Sequence, residues 1–183
     1  MKKSSILSLI TICTLVFSSC FNDLDTVPLD QDVFTADAVY KDASSYRKVL
    51  AKVYAGFAVS GQQGAAGQPD IEGIDEGFGQ YLRGFWYHQE LTTDEAVIGW
   101  NDQTIKDFHN QTWTETDGFI YAFYSRIFYQ ISLCNEFIRE TSDEKLSSRG
   151  ADDALKAQVK TFRAEARFLR ALSYWHALDM FRN

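Results

Sequence analysis

Apolar residues return at helical spacing in three stretches of the chain, and between those stretches the pattern breaks down. Tyr46, Val49, Leu50, Val53, Tyr54 and Phe57 share one face while Arg47, Lys48 and Lys52 fall off it, which predicts a first helix. Gly56 is tolerated near its end, and Gly61 is the expected terminator. Asp117 stands as an N-cap before a longer stripe of Ile120, Phe123, Tyr124, Ile127, Ile131, Cys134 and Ile138. Cys134 lies on that stripe, so it reads as a small core residue and not as a reactive thiol. Residues 142–150 are a turn-rich break. A third helix is expected over 151–181, with Leu155, Val159, Phe162, Ala166, Leu169 and Ser173 on one side. Phe168, Leu172, Trp175 and Leu178 widen its apolar surface beyond one face. A helix greasy on two sides packs between neighbours, as in stacked helical hairpins. Ala164, Ala166, Ala171 and Ala177 allow a close approach. No period of about 34 residues is readable, so tetratricopeptide-like packing rests on the helix pairs alone.

The intervening segments differ in kind. Residues 61–84 hold seven of the eleven glycines. A phosphate loop is excluded there, because no Gly-Lys-Ser/Thr is present and Asp70, Glu72, Asp75 and Glu76 would repel phosphate. Asp70, Glu72 and Asp75 could offer oxygens to calcium, but their spacing does not match an EF-hand. A long shaped surface loop is the better reading. Tyr81, Phe85, Trp86 and Tyr87 then predict a helix from about 80, running into Leu91-Thr92-Thr93-Asp94-Glu95. Residues 96–117 read as polar and irregular, with Trp100 and Trp113 among Asn, Gln, Asp and Thr.

The first twenty residues have another logic. Met1-Lys2-Lys3 is positive, Ile6 to Phe17 is a short apolar run, and Ser18-Ser19 lead into Cys20. That is a bacterial secretory signal, too short for a membrane span. A cysteine at the cut site makes it a lipoprotein signal, with Cys20 as the lipidated residue. The plainer alternative is a simple signal peptide cut near Ser19. Asn22-Asp23-Leu24-Asp25 resembles the surface-export signal of Bacteroidetes lipoproteins. Removing residues 1–19 leaves 16 basic against 25 acidic residues, so the formal charge moves from −7 to −9. An acidic chain is a poor partner for nucleic acid, whose binding rests on Lys and Arg contacts to phosphate. It is equally unsuited to gripping anionic lipid, so the acyl group on Cys20 must anchor it. With Cys13 removed and Cys20 lipidated, Cys134 is left alone, and no intramolecular disulfide is available. His88, His109 and His176 lie far apart, so no Cys/His metal cluster is expected. Two prolines and 15% aromatics suit a helical protein with a bulky core.

Three stretches carry a family likeness: Cys20 to Asp25, Ser60 through Gly77 into Glu90-Leu91-Thr92-Thr93-Asp94-Glu95-Ala96, and Phe162 through Trp175. In these the chain resembles the N-terminal third of a SusD/RagB-type outer-membrane nutrient-binding lipoprotein. The resemblance implies a mainly α fold of tetratricopeptide-like helical hairpins with long irregular loops. It implies a signal peptide at 1–19, a tether at 20–38 and a SusD-like helical domain at 39–183. The apolar pattern Leu178-Asp179-Met180-Phe181 runs to the end without a stop signal, so a longer protein is expected. It further implies a lipid-anchored protein exposed on the outer membrane. Such proteins pass oligosaccharide to a SusC-type TonB-dependent transporter, with no catalytic activity and no cofactor.

Starch-binding members of that family grip sugar with aromatic rings and a few polar side chains. Aromatic faces match the CH faces of a pyranose, and Arg, Asn or Gln bond its hydroxyls. Their arginine maps onto Arg83. Of two tryptophan positions, one is Ile98 here and the other is Trp100. An asparagine maps onto Gln103, with Asn101 a nearby substitute. The departure at Ile98 leaves the ligand defined as a glycan, not as starch. Each residue has a plainer reading too. Trp100 serves equally to cap a loop core, Arg83 could pair with Glu90 or Asp94, and Trp86 and Trp113 read first as packing residues. Asp94 and Glu95 read as loop-fixing acceptors, because neighbours in sequence seldom face one cleft as glycosidase carboxyls must. Two other function classes remain: a helical glycoside hydrolase or lyase using Asp94 or Glu95, and a helical-repeat scaffold that binds protein or peptide.

Overall fold

The computed structural model describes residues 34–61, 69–77, 79–102 and 104–182. The expected signal peptide, Cys20, most of the expected tether and Gln103 lie outside the described residues. The chain divides into two compact units, residues 1–39 and 40–183. The first shows one helical turn, α1 (Ala36–Val39), inside the segment read as tether. The Val39 N–H donates to the Thr35 carbonyl at 3.1 Å. The Thr35 hydroxyl accepts from the Ala38 N–H at 3.3 Å.

The second unit is mainly α, and no strand occurs among the described residues. Its helices are α2 (Ala43–Ala55), α3 (Tyr81–Glu90), α4 (Ile105–Asn110), α5 (Gly118–Glu140), α6 (Asp143–Ser148) and α7 (Asp153–Phe181). Four of them begin on a side-chain cap, which satisfies N–H groups that have no partner inside the helix. Asp42 accepts from Ser44, Asp117 from Phe119 and Ile120, Ser142 from Lys145, and Asp152 from Leu155.

The two long helices α5 and α7 pack against each other as the central pair, and α2 packs on both. Their register is antiparallel. Arg163 donates to the Thr141 carbonyl, Arg170 to Asn135, and the Phe123 and Phe181 rings lie 6.4 Å apart. Ile127, Cys134, Phe137, Val159 and Ala166 are fully buried in this frame. Burial pushes the Cys134 thiol up to about 11, which keeps it protonated and unreactive.

The first helix ends at Ala55 rather than near Gly61, and packing explains the stop. Gln130 of α5 donates to the Val53 carbonyl at 2.6 Å. A Cβ on Gly56 would sit 2.0 Å from the Gln130 amide oxygen, so any larger residue there would force the Gln130 side chain to move. Two short helices appear where irregular chain is expected. α4 interrupts 96–117 and α6 occupies most of 142–150. Each is anchored by few apolar residues, Ile105 and Phe108 in one and Leu146 in the other. The buried face of α5 is also turned from the expected stripe. Tyr124 is exposed, while Arg126, Gln130 and Glu140 are buried. On α7 the second apolar side, with Phe168, Trp175 and Leu178, is exposed among the described residues.

Candidate functional site

A small aromatic core positions the site. Tyr87 and Leu91 from the end of α3, Ile105 and Phe108 from α4, and Phe119 from α5 form one buried cluster. Tyr87 meets Phe119 edge to face at 5.9 Å, a favoured aromatic geometry. Ile98 packs partly buried against that cluster, with Ala96. Ile98, which stands where the resemblance implies a second tryptophan, is therefore a packing residue here.

Beyond the buried Leu91 the chain crosses this core, as far as Asp102, as a ribbon that is exposed except at Thr92, Ala96 and Ile98. Its turn is fixed by threonines: Thr92 donates to the carbonyls of His88 and Gln89, and Thr93 to that of Glu90. The Thr93 hydroxyl also accepts from the Glu95 N–H at 3.2 Å. Asp94 and Glu95 are exposed, and the fixing role expected of them falls to these hydroxyls. At the ribbon's far end Thr104 donates to Asp117, the N-cap of α5.

Arg83 and Trp100 come together at the ribbon's centre. The Arg83 guanidinium carbon lies 5.8 Å from the Trp100 ring centroid, within cation–π range. Trp100 is 48% exposed, so it is not the buried cap of a loop core. Arg83 also donates to the Gly77 carbonyl, which fixes its fork from the glycine-loop side. These are the described partners of Arg83, in place of the Glu90 or Asp94 expected as alternatives.

The Arg83–Trp100 pair lines two adjoining cavities. One, of about 470 Å³, has Asp75, Gly77, Asn101, Asp102 and Phe119 as its other walls. The other, of about 380 Å³, is shallow and open, and is lined by Trp86, Tyr87, Val97, Ile98 and Gly99. Asn101 accepts from the Lys106 ammonium through its side-chain oxygen. It keeps its NH₂ group and one oxygen lone pair to offer a ligand hydroxyl. Burial raises the Tyr87 phenol above its usual 10.0, so a neutral hydroxyl lies beneath the smaller cavity.

Three of the four expected ligand residues, Arg83, Trp100 and Asn101, thus border one cavity. Gln103 lies outside the described residues. Trp86, read first as packing, is 45% exposed on the cavity wall. Trp113 lines a separate cavity with His88, Phe108 and Phe181, and it does not join Trp100. Asp75, weighed from its sequence as a ligand only for calcium, and Asp102 complete the polar lining. Asp75 does accept from the Gly77 N–H two residues on, a turn signal readable from its spacing. Chemically, the walls offer two ring faces, a forked cation, an amide donor and two carboxylate acceptors. They suit a flat polyhydroxylated ring, stacked on one side and hydrogen-bonded at its edge.

No protein-family model matches the chain. It is 34% identical over 175 residues to the starch-binding protein SusD of Bacteroides thetaiotaomicron. The alignment covers 95% of this chain and 29% of that protein, in its N-terminal part. The chain therefore spans less than a third of the length of the curated relative it matches.

Proposed function

The chain belongs to the SusD-like family, matching its N-terminal part, and from that premise we propose that it supplies one wall of an oligosaccharide-binding site. The observation that carries the reading is the half-exposed Trp100 ring held beneath the Arg83 guanidinium, 5.8 Å away. Trp100 stacks on a pyranose face. Arg83 and the Asn101 amide donate to ring hydroxyls, and Gln103 is a further ligand residue. Asp75 and Asp102 accept from hydroxyls on the same side. Binding, not bond cleavage, is the role. The polypeptide is exported by the signal at 1–19, acylated at Cys20 and held through the tether at 20–38 on the outer membrane. From there the helical domain at 39–183 takes part in delivering the glycan to a SusC-type TonB-dependent transporter. The name of the relative supports starch-type glucans as the first ligands to try.

Titration calorimetry of the full-length protein with maltooligosaccharides is the test. Measurable binding that weakens in Trp100→Ala supports the site. Absence of binding to these and to every other oligosaccharide on a glycan array removes it. For the anchor, mass spectrometry should find acyl chains on Cys20 and none on a Cys20→Ser variant. An unacylated wild type rules the anchor out.

A further inference from the structure

We infer that Arg126, a buried arginine 56 residues from its acidic partner, is a positioning residue for the ligand wall. It sets the site through the glycine loop without touching ligand, and the inference rests on the glycan-binding reading above. Arg126 is 1% exposed on the core face of α5. Its fork meets both Asp70 oxygens, at 2.9 and 2.7 Å, and the Asp70 side chain is 3% exposed. The same guanidinium donates to the Gly79 carbonyl at 2.5 Å and the Ser60 carbonyl at 3.2 Å. One side chain therefore ties down the start, the middle and the end of the loop from 60 to 79.

The tie reaches the site in three steps. Gly79 donates to the Asp75 carbonyl at 2.9 Å, closing a turn. Within that turn Asp75 accepts from the Gly77 N–H at 2.6 Å. The Gly77 carbonyl then receives Arg83, and Arg83 covers Trp100. The opposite wall hangs from the same helix, because Thr104 donates to Asp117 at its N-cap. Asp117 and Arg126 are nine residues apart, about 13 Å along an α-helix. So α5 fixes the separation of the two walls, one through its cap and one through Arg126.

Only arginine serves at this position. A bidentate grip on a carboxylate plus two carbonyls needs the planar fork, and lysine offers a single rotating ammonium. If the loop loosens, Arg83 must be ordered when ligand arrives, a cost of about tenfold in affinity.

The test uses full-length protein labelled with 5-fluorotryptophan, as wild type, Arg126→Lys and Asp70→Asn. Asp70→Asn is the milder change, since it keeps the side chain's shape and one acceptor. Arg139→Ala, an exposed site on the same helix, is the control. The expected result is a shifted or broadened Trp100 fluorine resonance without ligand in both variants, affinity for maltooligosaccharide about tenfold lower, and no change in the control. An unmoved Trp100 resonance overturns the inference even if affinity falls, because Arg126 would then act by general stability alone. An unmoved affinity in protein whose wild type binds also overturns it. If the wild type binds no glycan, the functional reading fails by itself, and the ligand-free resonance still decides the role of Arg126.

Discussion

The α5–α7 frame and the walls of the candidate site are held by different forces. In the frame, Ile127, Cys134, Phe137, Val159 and Ala166 interlock with essentially no exposure, and close packing spreads the stabilisation over many small contacts. Among the described residues, the walls at 60–79 and 91–104 expose Glu72, Gly73, Asp75, Gly77, Val97 and Trp100. They are fixed at a few polar points: the Arg126 fork, the Thr104–Asp117 bond and the threonine turn. Apolar packing decides where the walls stand, and single hydrogen-bonded side chains decide their shape. A wall built that way can change its ligand contacts without disturbing the frame.

The largest expected effect comes from cutting the strongest of those points. Arg126→Ala takes its donor from the Asp70 carboxylate and the Gly79 carbonyl, leaves the Ser60 carbonyl with the Asp70 N–H alone, and opens a hole beside α5. Truncating one partner of a buried pair costs about 3–5 kcal/mol. Chemical denaturation should show that loss in full if the wall and the frame unfold together. A loss below ~1 kcal/mol would mean that the loop opens locally and is hydrated while the frame stands. Trp100→Ala should do the reverse. Its ring is half exposed, so the loss of unfolding free energy should stay at about 1–2 kcal/mol, from partial burial and the Arg83 contact. Oligosaccharide affinity should fall about thirtyfold, as for a central anchor residue. A large stability loss with unchanged affinity would put Trp100 in the core and break the comparison.

That difference in forces also decides what could be read from the sequence. The three long helices show in their apolar spacing because packing demands it at every turn. The α5 stripe is read slightly rotated, since Arg126 and Gln130 look like surface residues until Asp70 and Val53 are seen beside them. α4 and α6 are six residues each, with too few apolar positions to establish a period, and tertiary packing on Ile105, Phe108 and Leu146 decides them. Arg83, Trp100 and Asn101 are reached by family likeness rather than by any local pattern. The cavity's remaining lining, Trp86, Asp75 and Asp102, comes from three separate stretches of the chain that only the fold brings together. No window of sequence contains both ends of the Arg126–Asp70 pair.

Acid should loosen the seam between α3 and the frame. Burial lowers the His88 pKa below its usual 6.5, against the opposing pull of the Gly84 carbonyl and Asp117. Burial likewise lowers His176, opposed by Asp179. His176 also bonds the buried Tyr81 hydroxyl at 2.8 Å. For a histidine lowered on folding, the unfolded chain binds more protons as pH drops below about 6.5. Stability is therefore complete above that pH and lost as pH falls toward the folded-state values. The slope cannot exceed about 1.4 kcal/mol per pH unit for each histidine. Thermal unfolding between pH 7.5 and 5 should show the decline, and His88→Gln should flatten it. A profile that is level over this range in the wild type would contradict the assignment.

The smallest effect separates frame from wall most cleanly, because it compares two caps of the same chemistry. Asp152 accepts from the Leu155 N–H at 2.7 Å and starts α7. Asp117 accepts from Phe119 and Ile120 at 2.8 and 3.1 Å and starts α5. Replacing either by alanine removes a cap worth about 1 kcal/mol, and Asp117→Ala should cost more than Asp152→Ala because the buried Asp117 carboxylate also accepts from Thr104. Only Asp117 also holds Thr104, and with it the end of the ribbon that carries Trp100 and Asn101. Asp117→Ala should therefore weaken oligosaccharide binding several-fold, roughly the cost of ordering one freed segment, while Asp152→Ala leaves it unchanged. Equal affinities in the two variants would show that the aromatic core alone sets the ribbon and that the cap adds nothing to it.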